Sequence, residues 1–312
     1  MIFFHPRCQG LQKDPGIYQD RTPQGLDSLN LGIEMAKTFG YDLEIVLVLR
    51  RHDVFSAEYP PTGGVADILV NQAFKWLEGA LARVPEGINA RGHVFSGTST
   101  ADGLLRAREE LGARIIVVGG ASSSPLKRHK LGTVAHDLLF GCPVPVALAP
   151  RGYTPHPVAR INCAVGTRPG SGSLVSEGLL LAGAADLPLR LVALVGEEDN
   201  GDVLARTQSV LDEARAGLND VAEAAAASDM DAAEARRQQV EVDIAIGKSS
   251  DVNHAIENVG WDDGDILFVG SSRIEQKSSV FAGSVAMRIL RFLTVPLVVV
   301  PRGYDARKRW LK

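Results

Sequence analysis

The stretch from Arg114 to Tyr153 reads RIIVVGGASSSPLKRHKLGTVAHDLLFGCPVPVALAPRGY. It aligns without a gap with the stretch from Asp265 to Tyr304, DILFVGSSRIEQKSSVFAGSVAMRILRFLTVPLVVVPRGY. The identities include two glycines, a Val-Ala pair, Pro145 with Pro296, and the closing Pro-Arg-Gly-Tyr. A repeat of this length is too long for a solenoid of short units, so it indicates two copies of a whole domain. Any function proposed for one copy should therefore be checked in the other.

The length and composition fit two ordinary globular domains. With 312 residues, the chain can form two domains of about 150 residues, each large enough to bury its own core. We expect domain 1 to cover 1–153 and domain 2 to cover 154–312, with the proline-bearing segment Arg151–Arg160 as the linker. Hydrophobic residues make up 45% of the chain and charged residues 22%, as in soluble proteins.

Charge, hydropathy and cysteine content argue against several function classes. A net charge of -4 provides no basic surface for nucleic acid, and we expect the short basic end to be a solvated tail. No run approaches about 18 apolar residues, so we expect no membrane partner. Cys8, Cys142 and Cys163 lack the spacing of a disulfide framework or a zinc site. They indicate a reducing compartment, and we expect a cytoplasmic protein.

Short apolar runs alternate with helical stretches in the second copy, which is the pattern of a parallel sheet with crossover helices. The run Leu189–Val195 is continuously apolar, as expected for a strand covered on both faces. The predicted strands are Ile161–Val165, Leu189–Val195, Val242–Ile246, Asp265–Val269 and Pro296–Val300. The predicted helices are Leu174–Ala184, most of Asp202–Arg236, Ser250–Asn258 and Ser284–Leu293.

The first copy repeats this order, except that its opening strand is hard to place. The segment that aligns with the second copy's first strand is Gly16–Gln19, between Pro15 and Asp20. Either this strand is degenerate or MIFF at the amino terminus takes its place. The other predicted strands are Leu43–Leu49, Gly92–Phe95, Ile115–Val118 and Val144–Leu148, and the predicted helices are Leu26–Phe39, Val65–Arg83, Ala101–Leu111 and Thr133–Phe140.

In both copies an apolar strand ends in glycine, and a helix that opens with Gly-Thr or Gly-Ser follows at one fixed distance. Glycine lets backbone amides approach an anion, a hydroxyl adds a donor, and a helix start presents unpaired N–H groups. Ligands of such sheets bind at the carboxyl ends of the strands. The pattern therefore predicts a phosphate-binding loop. It reads Gly119-Gly120-Ala121-Ser122, nine residues and Gly132-Thr133 in the first copy, and Gly270-Ser271-Ser272-Arg273, nine residues and Gly283-Ser284 in the second.

This constellation resembles the signature of the universal stress protein family, which is Gly-x-x-Gly, nine residues, and Gly followed by Ser or Thr. The resemblance covers nearly the whole chain as a tandem pair. It implies an α/β fold with two Rossmann-like sheets of the adenine nucleotide alpha hydrolase type, each with five parallel strands ordered 3-2-1-4-5. In the family's ATP-binding branch the loop holds the phosphates and ribose, and an aspartate after strand one contacts adenine. The implied cofactor is ATP or another adenine nucleotide, with Mg²⁺ accompanying ATP.

The two copies depart from the signature to different degrees. The second glycine is Ser122 in the first copy and Arg273 in the second, and a Cβ there narrows the approach to phosphate, although arginine can pair with phosphate. The aspartate aligns with Asp20 in the first copy and with Gly166 in the second. The first copy thus retains more of the pattern. The candidate ligand contacts are Asp20, Gly97, Gly119, Gly120, Ser122, Gly132, Thr133 and Val134 in the first copy, and Gly270, Arg273, Gly283 and Ser284 in the second.

Three other motifs have weaker functional interpretations. Ile246–Ser249 resembles the end of a Walker A loop, but Val242 stands where its first glycine is required. Ser124–Lys127 matches Ser-x-x-Lys without the partner motifs. His129 and His136 have no carboxylate pair at ligand spacing, so no metal site is expected. No group of residues suited to catalysis stands out, and we expect a binding protein and not an enzyme.

The resemblance also bears on partners and function, since family members commonly dimerise through their last strands. Val144–Leu148 and Pro296–Val300 are apolar strands that would be prone to aggregation if left bare. We predict that they pair within one chain as an intramolecular pseudo-dimer, while a homodimer and an unidentified protein partner stay open. The predicted function is stress-response regulation, with an adenine nucleotide in domain 1 and a degenerate domain 2. The alternatives are an interaction scaffold that binds no nucleotide and a weak ATPase.

Overall fold

The computed structural model describes residues 2–4, 23–50, 65–120, 132–166, 171–197, 202–224, 240–271, 292–301 and 303–304. The chain divides into two compact units, Met1–Pro155 and His156–Lys312. The first unit contains the strands β1 (Ile2–Phe4), β2 (Leu43–Arg50), β3 (Ala90–Gly97), β4 (Ile116–Gly119) and β5 (Val146–Ala149). Its helices are α1 (Pro23–Phe39), α2 (Val65–Leu81), α3 (Thr100–Glu110) and α4 (Thr133–Gly141).

The second unit has the same succession of elements in its described part. Its strands are β6 (Arg160–Val165), β7 (Leu189–Val195), β8 (Val242–Lys248), β9 (Asp265–Gly270) and β10 (Leu297–Val300). Its helices are α5 (Ser171–Ala185), α6 (Val203–Ala224) and α7 (Val252–Glu257). The predicted helix Ser284–Leu293 lies mostly outside the described residues, as does the part of Asp202–Arg236 that follows Ala224.

The strands of the first unit pair in parallel, and the amino terminus supplies the opening strand. In β1, Ile2 pairs with Glu44 of β2 on one side and with Ile116 of β4 on the other. β2 also pairs with β3, and β4 with β5. Ile2–Phe4 of the amino terminus therefore takes the place of the first strand, which was one of the two alternatives. The aligned segment Gly16–Gln19 lies outside the described residues.

The second unit repeats this parallel pairing. β6 lies between β7 and β9, β7 also pairs with β8, and β9 also pairs with β10. The predicted α/β architecture with parallel sheets is thus confirmed. None of the helices in the described ranges has the length and apolar content that crossing a bilayer would require.

Strands with continuous apolar runs are buried in both units, as the sequence predicts for strands that are covered on both faces. Every residue of β5 and β10 is buried, and Leu43, Ile116, Ile161 and Leu189 have no exposed side-chain surface at all. Helices pack against these strands in both units, with α1 against β4 and α5 against β6. Burial on this scale is the main stabilising contribution to each unit.

Local chemistry explains where some elements begin later than predicted. The predicted helix Ser250–Asn258 starts only at Val252, because the Asp251 side chain accepts a hydrogen bond from the Asn253 amide and caps the helix. The last strand of the first unit begins at Val146, just after Pro145. Proline has no N–H to donate, although its carbonyl still accepts from the Ile116 amide.

Candidate functional site

The five strands described in each unit run parallel, so their carboxyl ends meet at one edge of the sheet. In the first unit this edge carries Arg50, Gly97, Gly119 and Ala149, the final residues of β2 to β5. Since α4 follows β4 in the chain, its amino terminus returns to this edge. The sequence-predicted residues Gly97, Gly119, Gly120, Gly132, Thr133 and Val134 all lie in this region of the topology.

The amino terminus of α4 has no side-chain cap. Gly132 is the N-cap residue, with φ -84° and ψ 171°, and it has no side chain to accept from the first turn. The first helical hydrogen bond runs from the His136 amide to the Gly132 carbonyl, 2.9 Å away. The amides of Thr133 and Val134 therefore precede the helical ladder, and Thr133 is exposed. An anion placed here would meet backbone donors and the positive end of the helix dipole.

The other helices with described caps differ in this respect. At the start of α3, Ser99 Oγ accepts from the Asp102 amide. The Asp102 carboxylate in turn accepts from the Thr98 amide and from the Thr98 hydroxyl, at 2.8 and 3.0 Å. This reciprocal arrangement closes the loop after β3 on itself. Asp251 likewise caps the start of α7. Of α3, α4 and α7, only α4 therefore begins without a side-chain cap.

Gly119 ends β4, and the amide of the next residue, Gly120, also bonds to the sheet. Gly119 pairs with Ala149 of β5. The Gly120 N–H donates to the Ala149 carbonyl at 2.9 Å and extends the ladder by one residue. A ligand contact of Gly120 would therefore have to use a group other than this N–H.

Close packing explains the glycine at position 97. A Cβ on Gly97 would lie 2.6 Å from the Gly103 amide nitrogen and 2.7 Å from the Ser99 carbonyl oxygen. The start of α3 can approach β3 this closely only because no side chain intervenes. Gly247 has the matching position at the end of β8, where a Cβ would overlap the carbonyl oxygen of Ala255 in α7.

The same packing argues against a Walker A loop at Ile246–Ser249. Gly247 and Lys248 belong to β8 and not to a loop, and the Ser249 amide donates to the Val195 carbonyl. A phosphate cradle needs free amides in a loop after the strand, and this segment does not provide them. The motif is therefore the end of an ordinary strand.

Several predicted site residues are not placed by the structure. Gly270 ends β9, which matches Gly119 at the end of β4, and it is half-buried. The predicted contacts Asp20, Ser122, Arg273, Gly283 and Ser284 lie outside the described residues, as does the motif Ser124–Lys127. The assignment of ligand contacts therefore stays a prediction for both units.

No metal-binding cluster stands out in the described ranges, where no group of three or more His, Cys, Asp or Glu side chains could hold an ion. His136 lies within 3.4 Å of Asp137 Oδ1 and packs against the Phe140 ring, while His129 is outside the described residues. Mg²⁺ thus stays an expectation that depends on ATP.

The two described cysteines are unsuited to nucleophilic chemistry. Cys163 is fully buried, and burial together with the nearby Glu177 charge raises the pKa of its thiol to about 12. Burial also raises the pKa of Cys142. Both thiols are therefore protonated at neutral pH, whereas a nucleophilic cysteine requires the thiolate.

Sequence reasoning missed a buried aspartate at the carboxyl edge of the first unit. Asp27 of α1 is 4% exposed and accepts from the amides of Gly152 and Tyr153. Burial raises the pKa of Asp27, against the lowering effect of both amides and of the Arg151 charge. Helical spacing could have indicated the burial of Asp27, because Asp27 lies on the same helix face as Leu31 and Met35, which are both buried.

Comparisons with known proteins agree on one family. A sequence model described as the universal stress protein family matches residues 18–150 and again residues 157–301. Universal stress protein Rv2319c of Mycobacterium tuberculosis is 27% identical over 295 residues, which cover 89% of this chain and 96% of the relative. Universal stress protein Mb2346c of Mycobacterium bovis matches with the same values.

A solved structure shares the fold. The crystal structure of a universal stress protein from Archaeoglobus fulgidus matches with a TM-score of 0.64 at 16% sequence identity. The match covers 91% of this chain and 96% of that one. At this identity the likeness concerns architecture alone.

Proposed function

The chain belongs to the universal stress protein family, and from this premise we propose that it is a stress-response regulatory protein whose first repeat binds an adenine nucleotide. In this proposal the second repeat is a degenerate copy of the binding domain. The protein acts through what it binds and not through catalysis. We also assign the strand order 3-2-1-4-5 to each repeat, which the pairings of β1 with β2 and β4 and of β6 with β7 and β9 support.

The observation that carries the proposal is the uncapped amino terminus of α4. Where α3 and α7 satisfy their first amides with Ser99 and Asp251, α4 begins at Gly132 without a side-chain acceptor. Thr133 follows and adds a hydroxyl donor in an exposed position. Phosphate oxygens match this set of donors in charge and in geometry.

The differences between the repeats favour the first as the binding site. The first repeat has Asp20 and Ser122 where the second has Gly166 and Arg273. An aspartate can accept from the adenine amino group or from ribose hydroxyls, and a serine is smaller than an arginine beside a phosphate. Each of these replacements in the second repeat therefore removes a favourable contact or adds bulk.

Equilibrium binding of labelled ATP tests the proposal, with Gly132→Val as the decisive variant. Gly132 has an extended backbone conformation that valine readily adopts, so the substitution should leave the fold intact. Its branched side chain would occupy the space in front of the first helical turn. We expect binding to weaken at least tenfold, and Thr133→Ala to weaken it less.

The second repeat supplies matched controls, Gly283→Val and Ser284→Ala, which should leave binding unchanged. Mass spectrometry of nucleotide that co-purifies with the wild-type protein provides an independent readout. If the wild type binds no ATP at millimolar concentration, the nucleotide proposal is wrong and the interaction scaffold becomes the better reading. Release of phosphate by the wild type, absent from Gly132→Val, would instead support the weak ATPase.

A further inference from the structure

Helices α3 and α4 belong to the same unit and begin at the same edge of its sheet, but their ends differ in local chemistry. α3 begins with the Ser99 cap, carries Asp102 in its first turn and has Arg108 in its last turn. Each of these side chains stabilises a helix end, either by a hydrogen bond or by complementing the helix dipole. α4 has no side-chain cap, no acid in its first turn and no base in its last turn. It therefore lacks every stabilising feature of this kind that α3 possesses.

α4 is also short, and its packing supports one half of it more than the other. It has nine residues, whereas an isolated helix of fewer than about 12 residues is marginal in water, so α4 depends on tertiary contacts. The large buried side chains of α4 are Leu138 and Leu139, which both lie in its second half. In the first turn, Thr133 is exposed and Val134 is only half-buried. Packing therefore holds the second half of α4 more firmly than its first turn.

The first turn of α4 has the donors that an anion would bind. It is closed by the hydrogen bond from the His136 amide to the Gly132 carbonyl, and the amides of Thr133 and Val134 precede this bond. An anion at this end would accept from these amides, and it would supply the negative charge that no side chain of the turn provides. A phosphate group would thus stabilise the start of α4 as Ser99 stabilises the start of α3.

We propose that the bound phosphate acts as the missing cap of α4, so that the first turn of this helix opens less often when the ligand is present. The inference rests on the proposed function, because it takes the adenine nucleotide of the first repeat as the source of the phosphate. It adds a consequence of binding, which is that the local stability of α4 reports whether the site is occupied. The start of α3, which its own side chains cap, does not respond in this way.

The responsive turn lies beside an exposed part of the first unit. The amide of His136 closes the first turn, and the His136 ring lies 4.7 Å from the Phe140 ring, measured between ring centroids. Both side chains are exposed, as is that of Asp137. A ligand that stabilises the first turn therefore acts on the backbone beneath an exposed surface, where a change of state is accessible to other molecules.

Amide hydrogen exchange of the full chain, resolved by NMR, tests the inference. The reporter amides are those of His136 and Asp137, the first two that the helical ladder of α4 includes. With ATP at about ten times its Kd, we expect both amides to exchange about tenfold more slowly, as binding to the closed turn alone implies. Adenosine, which has no phosphate, should leave both rates unchanged. The Gly103 amide, which donates to the Ser99 carbonyl in α3, is the internal reference and should keep its rate with either compound.

A designed cap tests the same point without a ligand. Gly132 has an extended backbone that aspartate adopts readily, as the N-cap residue Ser99 does. In Gly132→Asp we expect the two reporter amides to exchange at least about twofold more slowly, because the carboxylate caps the helix and complements its dipole. ATP should add no further protection, since the carboxylate occupies the place of the phosphate. Ser99→Ala is the matched opposite change, and it should accelerate exchange at Gly103 about fivefold, with or without ATP.

The outcomes separate this inference from the proposed function. If the wild type binds no ATP, the nucleotide proposal is wrong and this inference fails with it. If ATP binds but the His136 and Asp137 amides keep their rates, or if adenosine slows them as much as ATP does, the inference is wrong and the proposed function stands. Unchanged rates in a folded Gly132→Asp also overturn the inference, because the missing cap would then not limit the first turn. If that variant does not fold, the comparison of ATP with adenosine on the wild type decides.

Discussion

The second unit buries a charged cluster at the amino ends of its strands, whereas the first unit places different charges at the matching positions. In the second unit, Asp265 begins β9 and its carboxylate accepts from Arg160 Nε at 2.7 Å and from Arg190 Nη2 at 3.0 Å. Asn162 donates to the same carboxylate at 3.1 Å and accepts from Arg190 Nε. The side chains of Asp265 and Arg190 are only 1% and 6% exposed. The cluster is thus well satisfied, as buried charges must be.

The matching positions of the first unit carry the opposite charges. Arg114 aligns with Asp265, and Glu44 is the second residue of β2 as Arg190 is of β7. Glu44 bonds to the neighbouring strand, with His93 Nε2 at 2.6 Å and Arg91 Nη2 at 2.8 Å. The two copies therefore place side chains of different charge, with different partners, at corresponding positions of their strands. Much of what they share in sequence lies at the opposite edge, in the glycines that follow the apolar runs of β4 and β9 and in the Pro-Arg-Gly-Tyr turns.

The largest effect should come from removing the acid of the second unit's cluster. Asp265→Ala leaves Arg190 buried without its charge partner, and we expect the free energy of unfolding of that unit to fall by about 3–5 kcal/mol. Denaturant unfolding followed by Trp261 fluorescence, with Trp76 and Trp310 replaced by Phe, measures it, because Arg190 lies 5.3 Å from the Trp261 ring. Glu44→Gln in the first unit, followed through Trp76 with Trp261 and Trp310 replaced by Phe, should cost much less, because Arg91 is largely exposed. Equal losses would contradict the contrast between the units.

A smaller effect is expected from the packing glycines that both units share. Gly247→Ala forces a methyl group against the Ala255 carbonyl, and Gly97→Ala forces one against α3, so each should cost about 1–3 kcal/mol. Thermal unfolding of both variants measures the cost. Gly217→Ala in α6 is the control, since its Cβ would meet nothing within 4 Å and alanine favours helix. A harmless Gly247→Ala would show that α7 can move away from β8.

The two turns should respond alike to loss of glycine. Gly152→Ala and Gly303→Ala place a Cβ on a left-handed backbone, which costs about 1–2 kcal/mol in each unit. At Gly303 the Cβ would lie in open space, so strain alone acts there. Chemical denaturation of both variants measures the pair. A much larger loss for Gly152→Ala would show that the Asp27 contact depends on the exact shape of the turn.

The smallest expected effect is a difference in how the two buried aspartates, Asp265 and Asp27, make stability depend on pH. Burial raises the pKa of Asp265, but the hydrogen bonds from Arg160, the Asp262 amide and Asn162 and the Arg190 charge outweigh it, so the pKa lies below its ordinary value. Its stabilising effect is full above the ordinary aspartate pKa of about 3.9 and is lost as pH falls through the lowered value. The raised pKa of Asp27 has the opposite sign, because the stability that it favours is full below the ordinary aspartate pKa of about 3.9 and is lost as pH rises through the raised value.

Free energies of unfolding measured from pH 7 down to pH 3 check both signs. Asp265→Asn should flatten the acid-induced loss in the second unit. Asp27→Asn should remove the loss of stability that the first unit shows as pH rises from about 3.9 through the raised pKa of Asp27. The same slope in both units for the wild type would contradict the assignment of opposite shifts.

Much of the fold follows from sequence because the signals are local. The strand β7 has the predicted bounds Leu189–Val195, and most other described elements begin or end within a few residues of their predicted positions. Continuous apolar runs and helical spacing suffice for this, since a buried strand and an amphipathic helix each carry their own pattern. Cap residues such as Asp251 then shift the ends by a turn or less.

The candidate site could be predicted only in part. The spacing of Gly119, Gly132 and Thr133 places a glycine-ended strand and a helix start at one edge, which topology alone ensures. Spacing did not reveal that the Gly120 amide belongs to the sheet, because that hydrogen bond depends on the Ala149 carbonyl of another strand. The role of Gly97 in packing against α3 likewise depends on how closely two elements approach.

By itself the sequence determined that the chain consists of two copies of one parallel α/β domain, because a repeat and its hydrophobic periodicity are written along the chain. Only the tertiary structure decided that Ile2–Phe4 forms the first strand, that Asp27 binds the Gly152–Tyr153 turn, and that Asp265 forms ion pairs with two arginines. Each of these joins residues that lie far apart in the chain. Pairings over such distances are selected by burial and charge in the folded state, and no local pattern encodes them.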